Sequence, residues 1–162
     1  MIMRALFGDL LLQQMQKDES VWCLTGDLGF GVLNNVRDTF PNRALNVGAA
    51  EQLMLGAAVG LAHNKKIPIC YSITPFVIFR PYEWIRNYLN HERCAVKLVG
   101  AGRDRDYGHL GFSHWAEDDE KALSLFENIK IYKPKTNNEL IDVWNDFIYN
   151  DSPCYLNLMR SV

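Results

Sequence analysis

Short apolar runs alternate with helical stretches along the whole chain, and this restricts the fold more than any other feature. Apolar runs at Val21–Thr25, Ala44–Val47, Pro68–Ser72, Cys94–Val99, Ile129–Tyr132 and Ser152–Met159 read as strands. Between them, Arg4–Lys17 carries apolar residues at helical spacing, at Leu6, Leu10, Leu11 and Met15. Val32–Phe40 reads as a short helix stopped by Pro41. Further helices are expected at Glu51–Ala62, Pro81–Asn90, Glu117–Phe126 and Asn138–Tyr149, the last led in by the polar run from Thr136. Pro75 and Pro81 punctuate the segment after the third strand, and Gly100–Trp115 reads as a long loop. This order predicts an α/β fold: one three-layer domain over residues 1–162, with a mostly parallel sheet of about six strands and helices on both faces. Ligands of such folds gather at the carboxyl ends of the strands. Asp27, Glu51, the Phe76 region, the 100–115 loop and Arg160 all fall there.

Composition narrows the function classes. The chain has 162 residues, 48% hydrophobic and 22% charged, which suits a globular domain with a real core. A net charge of −2 gives no basic surface of the kind that nucleic acids or acidic membranes attract. No apolar run has the length of a membrane span, and the amphipathic start, with Asp9, is unlike a signal peptide. Cys23, Cys70, Cys94 and Cys154 each lie within an apolar run, without the spacing of a metal knuckle. They read as reduced core residues of a cytoplasmic protein. The histidines form no ligand pattern, and no metal site is expected on this chain.

One stretch stands apart: Asn46-Val47-Gly48-Ala49-Ala50-Glu51-Gln52, followed by small and apolar residues up to Ala62. Glu51 is a lone acid in the first turn of an otherwise apolar helix. Acids are favoured there by the helix dipole, so a structural account and a chemical one both stand on this stretch alone. The loop Gly26–Gly31 lacks the Lys-Ser/Thr ending of a phosphate loop and the G-x-G-x-x-G spacing, so a nucleotide site is not expected there. Phe76, Phe79 and Tyr82 recur at three-residue spacing, but Arg80 and Pro81 break the pattern of a plain core helix. Either core packing or the wall of a pocket for a flat heterocycle fits them. The glycine-rich loop Asp104–Trp115 carries His109 and His114 and suits a substrate loop as well as a solvated surface.

Taken together, these segments resemble the pyrimidine-binding domain of transketolase-type thiamin diphosphate enzymes. Val47–Gln52 resembles its acid motif, and Phe40-Pro41-Asn42-Arg43 the approach to that strand. Phe76–Ile85 resembles its aromatic segment. Gly111–Asp118 is similar to its G-x-S/T-H loop and following helix, and Ser152–Arg160 to its closing strand. The resemblance runs through nearly the whole chain in the right order. It implies that Glu51 hydrogen-bonds to a ring nitrogen of the cofactor's aminopyrimidine and favours the imino tautomer, so that the thiazolium carbon loses its proton and attacks a substrate carbonyl. It implies Phe76, Phe79 and Tyr82 as packing for the aminopyrimidine and Asp27 as a loop acid near the cofactor. It makes His114 a catalytic histidine touching donor substrate and cofactor, and Arg160 a contact to a substrate phosphate; His109, on the same loop, is a further candidate for substrate binding. The family's Gly-Asp-Gly…Asn motif for diphosphate and Mg2+ has no counterpart, because Leu28 follows Gly26-Asp27 and Asn34-Asn35 comes too soon. The chain also ends at Val162, where the family continues into a C-terminal domain. The expectation is therefore a transferase subunit that takes its diphosphate-binding domain and Mg2+ ligands from a partner chain, as a dimer of heterodimers. Two-carbon ketol transfer between sugars or sugar phosphates is the first reading. A split 2-oxo-acid decarboxylase and a non-catalytic regulatory or scaffold module are the alternatives.

Overall fold

Six strands form one sheet in the order β2-β1-β3-β4-β6-β5, every neighbouring pair parallel. The computed structural model describes residues 2–160; Met1 and the chain end at Ser161-Val162 lie outside the described residues. In chain order the elements are α1 Met3–Lys17, β1 Val21–Thr25, α2 Asn34–Thr39, β2 Ala44–Asn46, α3 Glu51–His63 and β3 Ile67–Ile73. They continue with α4 Thr74–Phe79, a turn α5 Tyr82–Trp84 running into a π-helix Ile85–His91, and β4 Lys97–Ala101. Two 3₁₀ turns, Gly108–Leu110 and Phe112–His114, precede α6 Asp119–Leu123, β5 Lys130–Tyr132, α7 Asn137–Tyr149 and β6 Cys154–Leu158.

Alternation along the strands builds the two cores. Cys23, Ile69, Tyr71, Val99 and Leu156 point to one face, where Phe7, Leu11, Leu140 and Phe147 of α1 and α7 cover them. Leu24, Cys70, Leu98 and Tyr155 point to the other, covered by Met54 and Leu55 of α3, Ile78 of α4, Ile85 and Phe126. All four cysteines are free and buried. Burial pushes the Cys23 thiol up to about 12 and that of Cys70 higher still, so neither is a nucleophile near neutral pH.

Several expected boundaries move, each for a local reason. Pro75 does not interrupt the chain; it occupies the first turn of α4, where a missing N–H costs nothing. The expected strand from Cys94 begins only at Lys97, where pairing to β3 and β6 begins. The helix expected from Pro81 is mostly π-helical. The 100–115 loop is folded into the two 3₁₀ turns and pinned by a bridge between Asp104 and Ala116. α7 starts as expected: Thr136 Oγ1 accepts from the Glu139 N–H at 3.2 Å, and Glu139 Oε2 accepts from the Lys135 N–H at 2.7 Å.

A cluster near the β5 edge makes an acid-range prediction. Asp146 accepts from Lys130 Nζ at 2.5 Å and from the Tyr132 hydroxyl at 2.7 Å. These bonds, with one from Asn150, hold its carboxyl at about 2, below the ordinary 3.8. The folded state thus binds this proton more weakly than the unfolded chain. The stability Asp146 contributes is complete above pH 3.8 and is lost as pH falls through about 2. Asp146→Asn should flatten the acid limb of a stability–pH curve from urea titrations and leave its slope near neutrality unchanged.

Candidate active site

The chain reverses direction across the sheet between β1 and β3: β2 lies on one side of β1 and β3 on the other. This leaves a crevice at their carboxyl ends. Glu51 opens α3 directly above it. Gly48, at φ +77, makes the turn from β2 into that helix. Gly26, just after β1, passes so close that a Cβ there would lie 2.9 Å from Glu51 Oε1, so any larger residue would displace the carboxylate.

The Glu51 side chain is fully covered. From β3, the Ser72 hydroxyl donates to Oε1 at 2.9 Å, and Arg80 donates to Oε2 at 2.7 Å. A carboxylate has about four acceptor sites, so capacity for another donor remains. Arg80 is 44% exposed, and its guanidinium lies 3.7 Å from the Phe76 ring centroid. It is the solvent-exposed part of the cover.

Beside this pair is a cavity of about 430 Å³, lined by Phe76, Phe79, Arg80, Phe112, Ser113 and Trp115 among others. Glu51 is not in its lining; Arg80 belongs to both. Phe79 is 41% exposed, and Phe76 meets the His114 ring edge-on at 4.9 Å. Ser113 and His114 are hydrogen-bonded at 3.0 Å. Phe76, Phe79 and Arg80 thus line one cavity, with Glu51 joined to it through Arg80 and His114 through Phe76, neither of them in the lining.

The other expected residues lie around this group. Tyr82 faces the second core, tilted against Phe126 at 5.1 Å, with its hydroxyl donating to the Ala122 carbonyl. It supports the wall and does not line the cavity. Asp27 sits at φ +58 beside Gly26 and pairs with Asn46 of β2 through bonds of 2.9 and 3.0 Å. Arg160 donates to the Asp106 carbonyl and stacks on Tyr107, which lies 6.2 Å from the His114 ring. His109 is exposed, and among the described residues no hydrogen bond or ring contact ties it to Glu51, Phe76 or His114.

Sequence reasoning missed two features. Arg80, read only as a break in the aromatic pattern, is Glu51's ion-pair partner. Beneath the 100–115 loop lies a buried polar network. Asn157 donates to Asp119 at 3.0 Å and to Thr74 Oγ1 at 3.2 Å, and Tyr155 donates to Asp119 at 2.7 Å. Arg103 donates to the Asn157 side chain at 2.7 Å. The network locks α4, α6 and the start of the loop to the ends of β4 and β6. The available signal was slight: Tyr155 and Asn157 interrupt the apolar run of β6, and Thr74 follows that of β3.

Comparison with known proteins decides the family. The model of the transketolase pyrimidine-binding domain matches residues 1–162. The chain belongs to that family. This pyrimidine-binding domain is 29% identical over 159 residues to the 6-deoxy-6-sulfo-D-fructose transketolase subunit SqwH of Clostridium sp. (strain MSTE9), covering 98% of this chain and 49% of that protein. It is 34% identical over 119 residues to a subunit of the apulose-4-phosphate transketolase of Actinobacillus succinogenes, covering 74% of this chain and 38% of the relative. Among solved structures, a split gene transketolase described as an inactive beta4 tetramer superposes with a TM-score of 0.85 at 26% identity, over 98% of this chain and 51% of that one. The pyrimidine-binding domain thus spans about half or less of the length of these relatives.

Proposed function

We propose that this domain is the pyrimidine-binding half of a heteromeric, thiamin diphosphate-dependent transketolase-like enzyme that moves a two-carbon ketol unit between sugars. The observation that carries the reading is the buried Glu51 carboxylate at the β1–β3 crevice, beside a cavity walled by Phe76 and Phe79. That donor set fits an aminopyrimidine: a flat, partly apolar ring with polar nitrogens on one edge. When bound, the cofactor supplies a stabilised carbanion equivalent next to the substrate carbonyl.

The chain's own residues have distinct tasks. Glu51 holds or accepts a proton at Oε2 once Arg80 gives way, while Ser72 keeps Oε1 in place. Phe76 and Phe79 exclude water and lower the local dielectric, which strengthens the Glu51 hydrogen bond. His114, braced by Phe76 and Ser113, faces the reacting region as donor or acceptor to substrate hydroxyls. Asp27 lies at the cofactor's edge, Tyr82 backs the aromatic wall, and His109 and Arg160 extend the substrate side toward a sugar phosphate. Phe76→Ala should weaken cofactor binding by the assembled enzyme roughly tenfold, since one aromatic contact contributes about 0.5–1.5 kcal/mol beyond its buried area. Calorimetry checks this.

The diphosphate and Mg2+ then fall to a partner subunit. Phe30, Leu53, Phe79, Leu110 and Phe112 are all exposed, Phe112 by 78%, and Phe79 and Phe112 line the cavity beside Arg80. Such a patch supports a protein interface on that face, in a dimer of heterodimers. The solved relative described as an inactive beta4 tetramer supports partner dependence. Four free buried thiols fit a reducing cytoplasm, and no described helix is long and apolar enough to cross a membrane.

The test is a chain-length assay. The two subunits, thiamin diphosphate, Mg2+, a ketose-phosphate donor and an aldose-phosphate acceptor should give a ketose longer by two carbons. Release of CO2 from a 2-oxo acid without ketol transfer would instead support the decarboxylase.

A further inference from the structure

At the opposite end of α3 from Glu51, about 18 Å along the helix for twelve residues of rise, three side chains of metal-ligating type converge. His63 closes α3, while Glu92 and Cys94 follow the π-helix. Cys94 Sγ lies 3.7 Å from His63 Nε2, and Glu92 Oε2 lies 4.0 Å from the same nitrogen. The three donor atoms all lie within 4.8 Å of one another.

The local backbone fixes this convergence. The Cys94 N–H donates to the Tyr88 carbonyl at 3.0 Å and the Glu92 N–H to that of Asn87 at 3.2 Å, closing the end of the π-helix. Arg93 between them adopts φ +56, the left-handed turn that ends helices. Glu92 and Cys94 are thereby held while His63 is brought in by α3. The Cys94 side chain forms the buried floor; the His63 and Glu92 side chains are 58% and 46% exposed and leave a path for an ion to enter.

We propose that His63, Glu92 and Cys94 bind a divalent cation of the zinc type. A tetrahedral zinc ion, with Zn–S about 2.3 Å and Zn–N about 2.0 Å, sets sulfur and nitrogen about 3.5 Å apart, close to the observed 3.7 Å. The convergence on one nitrogen distinguishes this from an acid–base relay. In a Cys–His–Glu relay the carboxylate holds the ring nitrogen opposite the thiol. Here the thiol and the carboxylate both approach Nε2, as co-ligands of a shared ion do. Thiolate and imidazole together favour zinc over magnesium or calcium. Thiolate plus carboxylate neutralise the ion's charge, and water takes the fourth position. The bound ion ties the end of α3 to the segment entering β4. No spacing in the sequence announces the site, because its ligands come from two elements that only the fold brings together.

The test is cobalt titration of the full chain after chelator treatment. One equivalent of Co2+ should give a near-ultraviolet sulfur-to-cobalt charge-transfer band and the strong visible bands of four-coordinate cobalt. Zn2+ should bleach both. Cys94→Ser should remove the charge-transfer band. His63→Ala, at an exposed position that leaves the fold intact, should weaken Co2+ binding by at least the roughly tenfold typical of losing even an outer partner. Absence of the band from the wild-type chain overturns the proposal. So does a band that survives Cys94→Ser, or Co2+ affinity unchanged in His63→Ala.

Discussion

Turnover by the assembled enzyme should fall roughly 10²- to 10⁴-fold when Glu51 becomes glutamine, the range typical for loss of a positioned acid or base. The amide has nearly the same shape, still accepts from Ser72 and still fits beneath Gly26. It cannot shuttle a proton. It also loses the charge that pairs with Arg80, but Arg80 is 44% exposed and regains water, so the cost in stability is small, about 1 kcal/mol or less. Subunit association, followed by gel filtration and light scattering, should be unchanged. Wild-type turnover in a correctly assembled Glu51→Gln complex would end the catalytic assignment.

The largest effect on stability is expected at Asp119. This carboxylate is 1% exposed and accepts from Tyr155, Asn157 and Lys133. Asp119→Ala takes the acceptor from a fully buried tyrosine hydroxyl, while the Asn157 amide keeps Thr74 Oγ1 and the Tyr155 oxygen as partners. Stranding that buried hydroxyl costs about 2–3 kcal/mol, measurable by urea denaturation. Asp119→Asn keeps one acceptor oxygen and should cost less, about 1–2 kcal/mol. A loss below about 1 kcal/mol in the alanine variant would mean that the network does not hold α6 and the 100–115 loop in place. The same network has an alkaline signature. Burial first, and then Asp119, push the Tyr155 hydroxyl well above its ordinary 10.0. The unfolded chain therefore gives up that proton more readily, and stability is full below pH 10 and declines above it.

How much of this was legible in the sequence depends on whether a feature is local. The strands and the longer helices were, because apolar alternation and helical spacing act within ten residues or so. Glu51 stood out as a lone acid in a small-residue helix, and its burial and its bonds to Ser72 and Arg80 are observed, whereas the roles of Glu51, Phe76, Phe79 and His114 belong to the proposal. α4 was hidden by Pro75, which reads equally as a breaker and as a first-turn residue. Arg80 was hidden by its position between Phe79 and Pro81, since nothing local tells that it folds back onto α3. Tyr155, Asn157 and Asp119 looked like ordinary polar interruptions; only the pairing of β6 beside β4 makes them a network. The same holds for His63 and Cys94, which lie 31 residues apart.

The central claim is that this chain holds half a cofactor site and needs a diphosphate-binding partner to complete it. Titration calorimetry with thiamin diphosphate and Mg2+ tests it most directly, on this chain alone and then on its mixture with the partner chain. The account predicts no binding by the chain alone and tight, saturable binding by the mixture. Tight binding by the chain alone, or none by a mixture shown to associate, would contradict it.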